Sequence, residues 1–175
     1  MPLDKTQLLD FLGVVEKELS RQITLVAVGG TAMTLLDLKP STIDIDFTGS
    51  GEDIADFKEA LKNISHGFKI DLYKDGVVFS QILPGDYLEK SIRIRQVGRI
   101  EMRSLQPLDI VVTKIGRLDD RDVQDIEACI KQYRLTEETI LSRAKQVQYV
   151  SREANYKANL RHVIGTFFPE KKRRR

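Results

Sequence analysis

Apolar residues recur at helical spacing at Leu8, Leu9, Leu12, Val15 and Leu19, which predicts an amphipathic helix over about residues 4–20. The run Ile23-Thr24-Leu25-Val26-Ala27-Val28 is β-branched and nearly all apolar, and it ends at Gly29-Gly30. That pattern predicts a buried strand followed by a turn. A short helix over Thr31–Leu38 follows, stopped by Pro40, because the residue before a proline is pushed out of the helical region. Ile43-Asp44-Ile45-Asp46-Phe47 alternates strictly and predicts a strand with one apolar and one acidic face.

Farther along, Ile54, Phe57, Ala60, Leu61 and Ile64 predict a helix over about 52–63, and 68–73 reads as a strand. Asp75-Gly76 signals a turn before Val77-Val78-Phe79. Residues 92–95 and 99–103 read as two strands around Gly98. From Pro107, suited to a first helical turn, the pattern becomes helical: 107–117, 120–133, 137–150 and 152–168. Thr136 and Ser151 are the expected N-caps of the last two. The expected fold class is α+β. A small mixed β-sheet flanked by helices spans 1–105, C-terminal helices over 106–168 pack on it, and a basic tail closes the chain at 169–175.

Composition narrows the classes. A 175-residue chain that is 41% hydrophobic and 31% charged can bury a core and is not wholly disordered. One cysteine, Cys129, and two histidines, His66 and His162, argue against disulfides and against a Cys- or His-based metal site. The start Met1-Pro2-Leu3-Asp4-Lys5 lacks an export signal, and the most apolar window, 23–38, is far short of the ~20 apolar residues a spanning helix needs. A cytoplasmic protein without a membrane partner is expected. The net charge of +2 conceals an acidic stretch, −6 over residues 1–90, and a basic one, +8 over 91–175. A polyanion partner for the basic stretch and an unevenly solvated surface both fit that split.

The chemistry concentrates between residues 28 and 71. On a strand, Asp44 and Asp46 share a face with Cα atoms about 6.6–7 Å apart. Carboxylates so placed can bracket two Mg²⁺ ions about 3.5–4 Å apart, and magnesium favours oxygen ligands completed by substrate phosphates. Gly29-Gly30 lets backbone N–H groups approach a phosphate closely, and Thr31 adds a hydroxyl there. Asp71 lies between apolar neighbours on a predicted strand, where a charge needs a reason. It is the candidate third carboxylate and acceptor of the attacking hydroxyl's proton, with Glu101 as runner-up unless a neighbouring arginine pairs with it.

The residues Val28-Gly29-Gly30-Thr31-Ala32-Met33 and Ser41-Thr42-Ile43-Asp44-Ile45-Asp46-Phe47 resemble the signature of the DNA polymerase β-type nucleotidyltransferase superfamily. Within it the chain is similar to small stand-alone prokaryotic members, including AbiEii-type toxins of toxin–antitoxin systems. Lys114-Ile115-Gly116-Arg117 and Asp120-Arg121-Asp122-Val123-Gln124-Asp125 extend the likeness, which covers about 25–130. It implies a nucleotidyltransferase fold, with Asp44, Asp46 and Asp71 as catalytic metal ligands. It also implies two Mg²⁺ ions, with Mn²⁺ as an alternative, and Gly29, Gly30 and Thr31 against the β- and γ-phosphates. Lys114 would neutralise the triphosphate, assisted by Arg117 or Arg121; a lysine snorkelling at the surface is the plain alternative. Asp120, Asp122 and Asp125 read as an acidic helix start that complements the dipole and pairs with Arg121.

Two departures, Leu38-Lys39-Pro40-Ser41-Thr42 in place of an arginine and Gly29-Gly30-Thr31 in place of glycine-serine, leave the nucleotide open. The activity implied is transfer of a nucleoside monophosphate from an NTP to an acceptor hydroxyl. An RNA (tRNA) end, cradled by Arg93, Arg95, Arg99 and Arg103, is the first acceptor and a protein hydroxyl the second. A cognate toxin or antitoxin would be a further partner. An antitoxin-like member, a catalytically silent nucleotide- or RNA-binding module and a nucleic-acid-binding scaffold remain the competing classes.

Overall fold

Phe47 and Phe57 meet edge to face with ring centroids 5.8 Å apart, and around that contact the apolar side of a mixed sheet is built. In the computed structural model, which describes residues 1–170, the elements in chain order begin with α1 (Lys5–Val15), β1 (Ile23–Ala27), α2 (Gly29–Leu35), β2 (Ile45–Gly49) and α3 (Gly51–Leu61). Then come β3 (Ile70–Lys74), β4 (Val77–Val78), β5 (Gln81–Ile82), α4 (Tyr87–Lys90), β6 (Ile92–Val97) and β7 (Ile100–Ser104). The remainder is α5 (Pro107–Lys114), α6 (Asp120–Tyr133), α7 (Glu137–Ala144), β8 (Gln148–Tyr149) and α8 (Glu153–Phe167). The main sheet has the order β3-β2-β1-β7-β6, with β1 antiparallel to β2 and parallel to β7, β2 parallel to β3, and β6 antiparallel to β7. The fold is α+β, as the periodicities indicate.

Register assigns the two faces of this sheet. Ala27 lies opposite Phe47, and Phe47 opposite Leu72, so α3 covers the side carrying Ile45, Phe47 and Leu72. Asp46 lies opposite Asp71 and Thr48 opposite Tyr73, on the other side. Leu8, Leu9, Leu12 and Val15 of α1 and Ile54, Phe57 and Ala60 of α3 are buried, as their spacing requires.

Several boundaries differ from the sequence expectation. The first helix gives way after Val15 to a 3₁₀ turn over Glu16–Glu18. The glycines do not form a turn ahead of α2; they are its first residues. β2 begins two residues later than the alternation suggests: Asp44 precedes it and Ile43 is exposed, while all five residues of β2 are buried. The helix expected to reach 150 stops at Ala144, and Gln148–Tyr149 instead pairs with β5. The chain thereby acquires a second, three-stranded sheet of order β4-β5-β8 that the sequence does not announce. Ser151 is not the cap of α8. That place falls to Arg152, in a left-handed conformation with φ 61° and no capping side chain. Thr136 does cap α7, in a reciprocal arrangement with Thr139.

The C-terminal helices are knitted to one another, and through Asp86 to the start of α4, by polar contacts as well as apolar ones. Arg143 on α7 donates to both carboxylate oxygens of the fully buried Asp109 on α5, at 2.6 and 2.9 Å, and to Asp86 at 2.8 Å. Tyr156 donates its hydroxyl to Val112 O at 2.7 Å, and Asn159 its amide to Ile115 O, clamping α8 onto α5. Cys129 is buried against Met33 and its thiol is pushed up to about 12 by burial, so it is packing, not chemistry. No described helix is long and apolar enough to cross a membrane. The basic tail, from Lys171 onward, lies outside the described residues.

Candidate active site

The end of β1 and the segment leading into β2 are laced together by one side chain. Thr31, fully buried on α2, accepts from the Asp46 backbone N–H at 2.9 Å and donates to the Asp44 carbonyl at 3.1 Å. Thr42 donates to that same carbonyl at 2.8 Å, and Val28 N–H donates to the Asp46 carbonyl at 3.1 Å. Thr42 is itself pinned by a two-bond bridge to Leu3. The expected phosphate hydroxyl of Thr31 is thus spent inside the protein, where it fixes the backbone that carries the two aspartates.

Gly29 is favoured by its backbone angle and Gly30 by close approach. Gly29 has φ +55°, and a Cβ there would lie 3.4 Å from Asp46 Oδ2. A Cβ on Gly30 would lie 3.1 Å from Thr42 Oγ1. The first residue of α2 therefore lies within van der Waals reach of the Asp46 carboxylate.

Asp46 is the electrostatic centre. Its residue is 9% exposed, and its carboxyl is pushed up to about 6 by burial first, then by Asp71 and Asp44, with Lys69 and Arg117 pulling the other way. Among the described residues only its backbone is hydrogen-bonded. Tyr73, next on that face, has its hydroxyl pushed up to about 12 by burial and by the same carboxylates. Asp71 takes an ion pair from Lys69 at 3.3 Å, and it also borders a separate hollow beside Lys58, His66 and Phe68. Among the described residues no three His, Cys, Asp or Glu side chains are gathered closely enough to cage a metal ion by themselves. The chemistry of the donors nonetheless fits Mg²⁺. They are carboxylate oxygens, Asp46 is buried without a cation of its own, and magnesium commonly completes its shell with substrate phosphate and water.

A cavity of about 490 Å³ opens onto Gly29, Gly30, Asp44 and Asp46 on one side and Lys114, Arg117 and Arg121 on the other. Lys114 is not a snorkelling surface lysine: it is 3% exposed and held by Asp122 at 3.1 Å and Asp125 at 2.8 Å. Arg117 donates two N–H groups to Asp122, both at 2.8 Å. Burial works against ionising Asp122, but Arg117 and Lys114 outweigh it and hold its carboxyl below the usual range. Lys39 adds a third cation, 3.2 Å from Asp125. Asp122 and Asp125 therefore pair with Lys114, Arg117 and Lys39, not with Arg121 as their helix position suggested. Asp120 and Arg121 are exposed at the start of α6.

Glu101 is an ion-pair residue, with Arg103 at 2.7 Å and Arg93 at 3.9 Å. Arg103 also turns inward to Ser91. The arginines expected to cradle an acceptor lie on or beside β6 and β7, on the side of β1 away from β2 and the aspartates.

Sequence reasoning missed Phe79. Its ring meets Tyr73 at 5.4 Å and lies 5.3 Å beneath the Arg117 guanidinium, and its tip reaches within 3.9 Å of a Cβ placed on Gly29. Its backbone is left-handed, φ +55°, which no side-chain periodicity betrays.

No curated protein and no solved structure matches the chain. A family model described as a nucleotidyltransferase of unknown function, DUF6036, matches residues 7–174, from within α1 to beyond the end of α8. With that match over nearly all of its length, the chain belongs to this nucleotidyltransferase family.

Proposed function

We propose that the chain is a Mg²⁺-dependent enzyme that moves a nucleoside monophosphate from an NTP to an acceptor hydroxyl. The observation that carries the reading is Asp46. It is a buried carboxylate raised to about 6, with further carboxylates near it, set against Gly29 and facing a cavity whose far wall interleaves Lys114, Arg117 and Arg121 with Asp119, Asp122 and Asp125. Asp44 and Asp46, with Asp71, are the residues that hold the metal. A Mg²⁺ ion held by them would supply a lowered pKa for the acceptor hydroxyl and neutralisation of the triphosphate.

The chain's own groups divide the remaining work. Thr31 and Thr42 keep the aspartate backbone in place, and Gly29-Gly30 permits close approach of the phosphate chain. Lys114 has spent two of its three N–H donors on Asp122 and Asp125, so the third is available to a phosphate oxygen. Arg117 and Arg121 supply further positive charge at the cavity rim. An acceptor oxygen forms its bond to the α-phosphorus as the bond to pyrophosphate breaks, and Asp71 receives the acceptor's proton.

The hollow beyond Asp71 supports a nucleic-acid acceptor. Lys58 and Lys69 border it or stand next to it, and His66 and Phe68 present stacked rings there with centroids 6.2 Å apart. An RNA end, such as a tRNA 3′ terminus, remains the first acceptor, and the likeness to AbiEii-type toxins supports a place in a toxin–antitoxin pair.

The test is incubation of the purified chain with each labelled NTP, Mg²⁺ and total RNA or lysate. Label in RNA that disappears in Asp46→Asn is the expected result. Label in protein moves the acceptor to the second class. No label with any NTP, or label retained by a triple Asp44/Asp46/Asp71→Asn variant, overturns the proposal.

A further inference from the structure

Behind Phe79, on the side away from Asp46, lies a second cavity of about 200 Å³. Its walls include Phe79, Gln81, Gly116, Arg117, Tyr149 and Tyr156. Phe79 and Arg117 also line the cavity over the aspartates, so the two spaces are separated by one ring and one guanidinium. The space is too small for a drug-sized ligand and suits a single planar ring. The rings of Tyr149 and Tyr156 stand 4.9 Å apart.

Gln81 gives this cavity its chemistry. The residue is 4% exposed, and its Oε1 is buried with no hydrogen-bond partner. Its carboxamide lies flat on the Gly116 backbone, where any Cβ would overlap Nε2. An unpaired buried amide oxygen is costly, and a native fold ordinarily gives it a partner. Tyr156 offers none, because its hydroxyl already donates to Val112 O. Aromatic walls and one carboxamide with unspent hydrogen-bonding capacity are what a protein needs to stack a heteroaromatic ring and read its polar edge.

Resting on the proposal that an NTP is the donor, we infer that this cavity holds the nucleobase of that NTP and that Gln81 is the residue that selects it. With the triphosphate against Gly29 and Lys114, the sugar passes Phe79 and the base enters between Phe79 and Tyr149. Phe79 is held in a left-handed conformation that a bulky side chain rarely adopts, and there it can serve as the partition between phosphate and base.

The test measures the affinity of the full chain, with Mg²⁺ present, for ATP, GTP, CTP, UTP and inorganic tripolyphosphate. The wild type is expected to bind at least one NTP about tenfold or more tightly than tripolyphosphate, and to rank the four bases. Gln81→Leu should contract that ranking by about tenfold while leaving tripolyphosphate affinity unchanged. Ser151, exposed at the cavity rim, allows a second variant that does not disturb the core: Ser151→Trp should reduce NTP affinity to that of tripolyphosphate. Thermal unfolding of both variants checks that they fold. If NTPs and tripolyphosphate bind the wild type alike, or both variants keep the wild-type ranking, the base site is wrong while the donor reading stands. If neither NTPs nor tripolyphosphate bind, the donor reading fails and the base site with it.

Discussion

Asp46 and Asp109 are both aspartates folded out of water, yet they meet opposite surroundings. Asp109 is gripped on both oxygens by Arg143, which reaches on to Asp86 and so joins α5, α7 and the start of α4. Asp46 is met by two more carboxylates and by a glycine that keeps clear of it. A buried charge with a fitted partner is scaffolding. One whose neighbours share its sign is instead pushed up in pKa, and on that difference the proposal of a metal at Asp46 rests. Lys114, Asp122 and Asp125 stand between the two cases: their charges compensate one another, but the cluster borders the same cavity as Asp46.

The contrast can be broken most directly by removing each charge. Asp46→Asn should lower nucleotidyl transfer by about 10³-fold, the scale set by loss of one preorganised electrostatic group, while raising the melting temperature of the metal-free protein. Asp109→Asn should do the reverse. It leaves Arg143 with Asp86 as its remaining carboxylate partner and should destabilise the fold by about 3 kcal/mol in denaturant unfolding, with any loss of activity tracking loss of folded protein. If Asp46→Asn is the destabilising change and Asp109→Asn the neutral one, the distinction collapses.

Acidity sharpens the same comparison. Asp46 ionises near 3.8 when unfolded and near 6 when folded, so between those values the folded chain holds a proton that the unfolded chain has lost. The contribution of Asp46 to stability therefore falls as pH rises from about 4 to 6, by roughly 3 kcal/mol, while Asp122, held low by Arg117 and Lys114, contributes with the opposite slope at lower pH. Saturating Mg²⁺ should remove that fall, and Asp46→Asn should show a correspondingly flatter profile. A profile that is unchanged by Mg²⁺ would falsify the assignment of a metal to this carboxylate.

Thr31→Val carries the smallest effect. It strands the Asp46 N–H and should cost about 1–3 kcal/mol. Activity should drop with it, and Thr31→Ser should restore both.

The periodic elements were legible in the sequence. Leu8, Leu12 and Val15, or Ile54 and Phe57, could be nothing but buried helix faces, and α6 runs over the residues its pattern marks, Asp120 to Tyr133. Gly29, Gly30, Asp44 and Asp46 do line one cavity, as their order along the chain suggested, but the glycines open α2 instead of turning ahead of it and Asp44 lies before β2. What periodicity does not encode is which partner a long side chain chooses. Lys114 and Asp122 are neighbours in space because a left-handed turn at Leu118 folds α6 back on α5, and Asp125 finds Lys39 from the far side of the chain. Phe79 was illegible for a related reason: its role comes from a backbone angle and from Arg117 lying over it. Two-residue strands such as β5 and β8 are too short to carry an alternation at all.

The β5–β8 pairing sets a timetable. During synthesis β1, α2, β2 and β3 leave the ribosome early, so the acidic end of the sheet can assemble from residues near in sequence. Gln81 and Tyr149, opposite each other across that pairing, join only after α5, α6 and α7 have emerged as well, at the entropic cost of closing a long loop. A nascent chain halted before Gln148 would carry its aspartates with one wall of the small cavity missing. Any capacity to distinguish one base from another is thus acquired last.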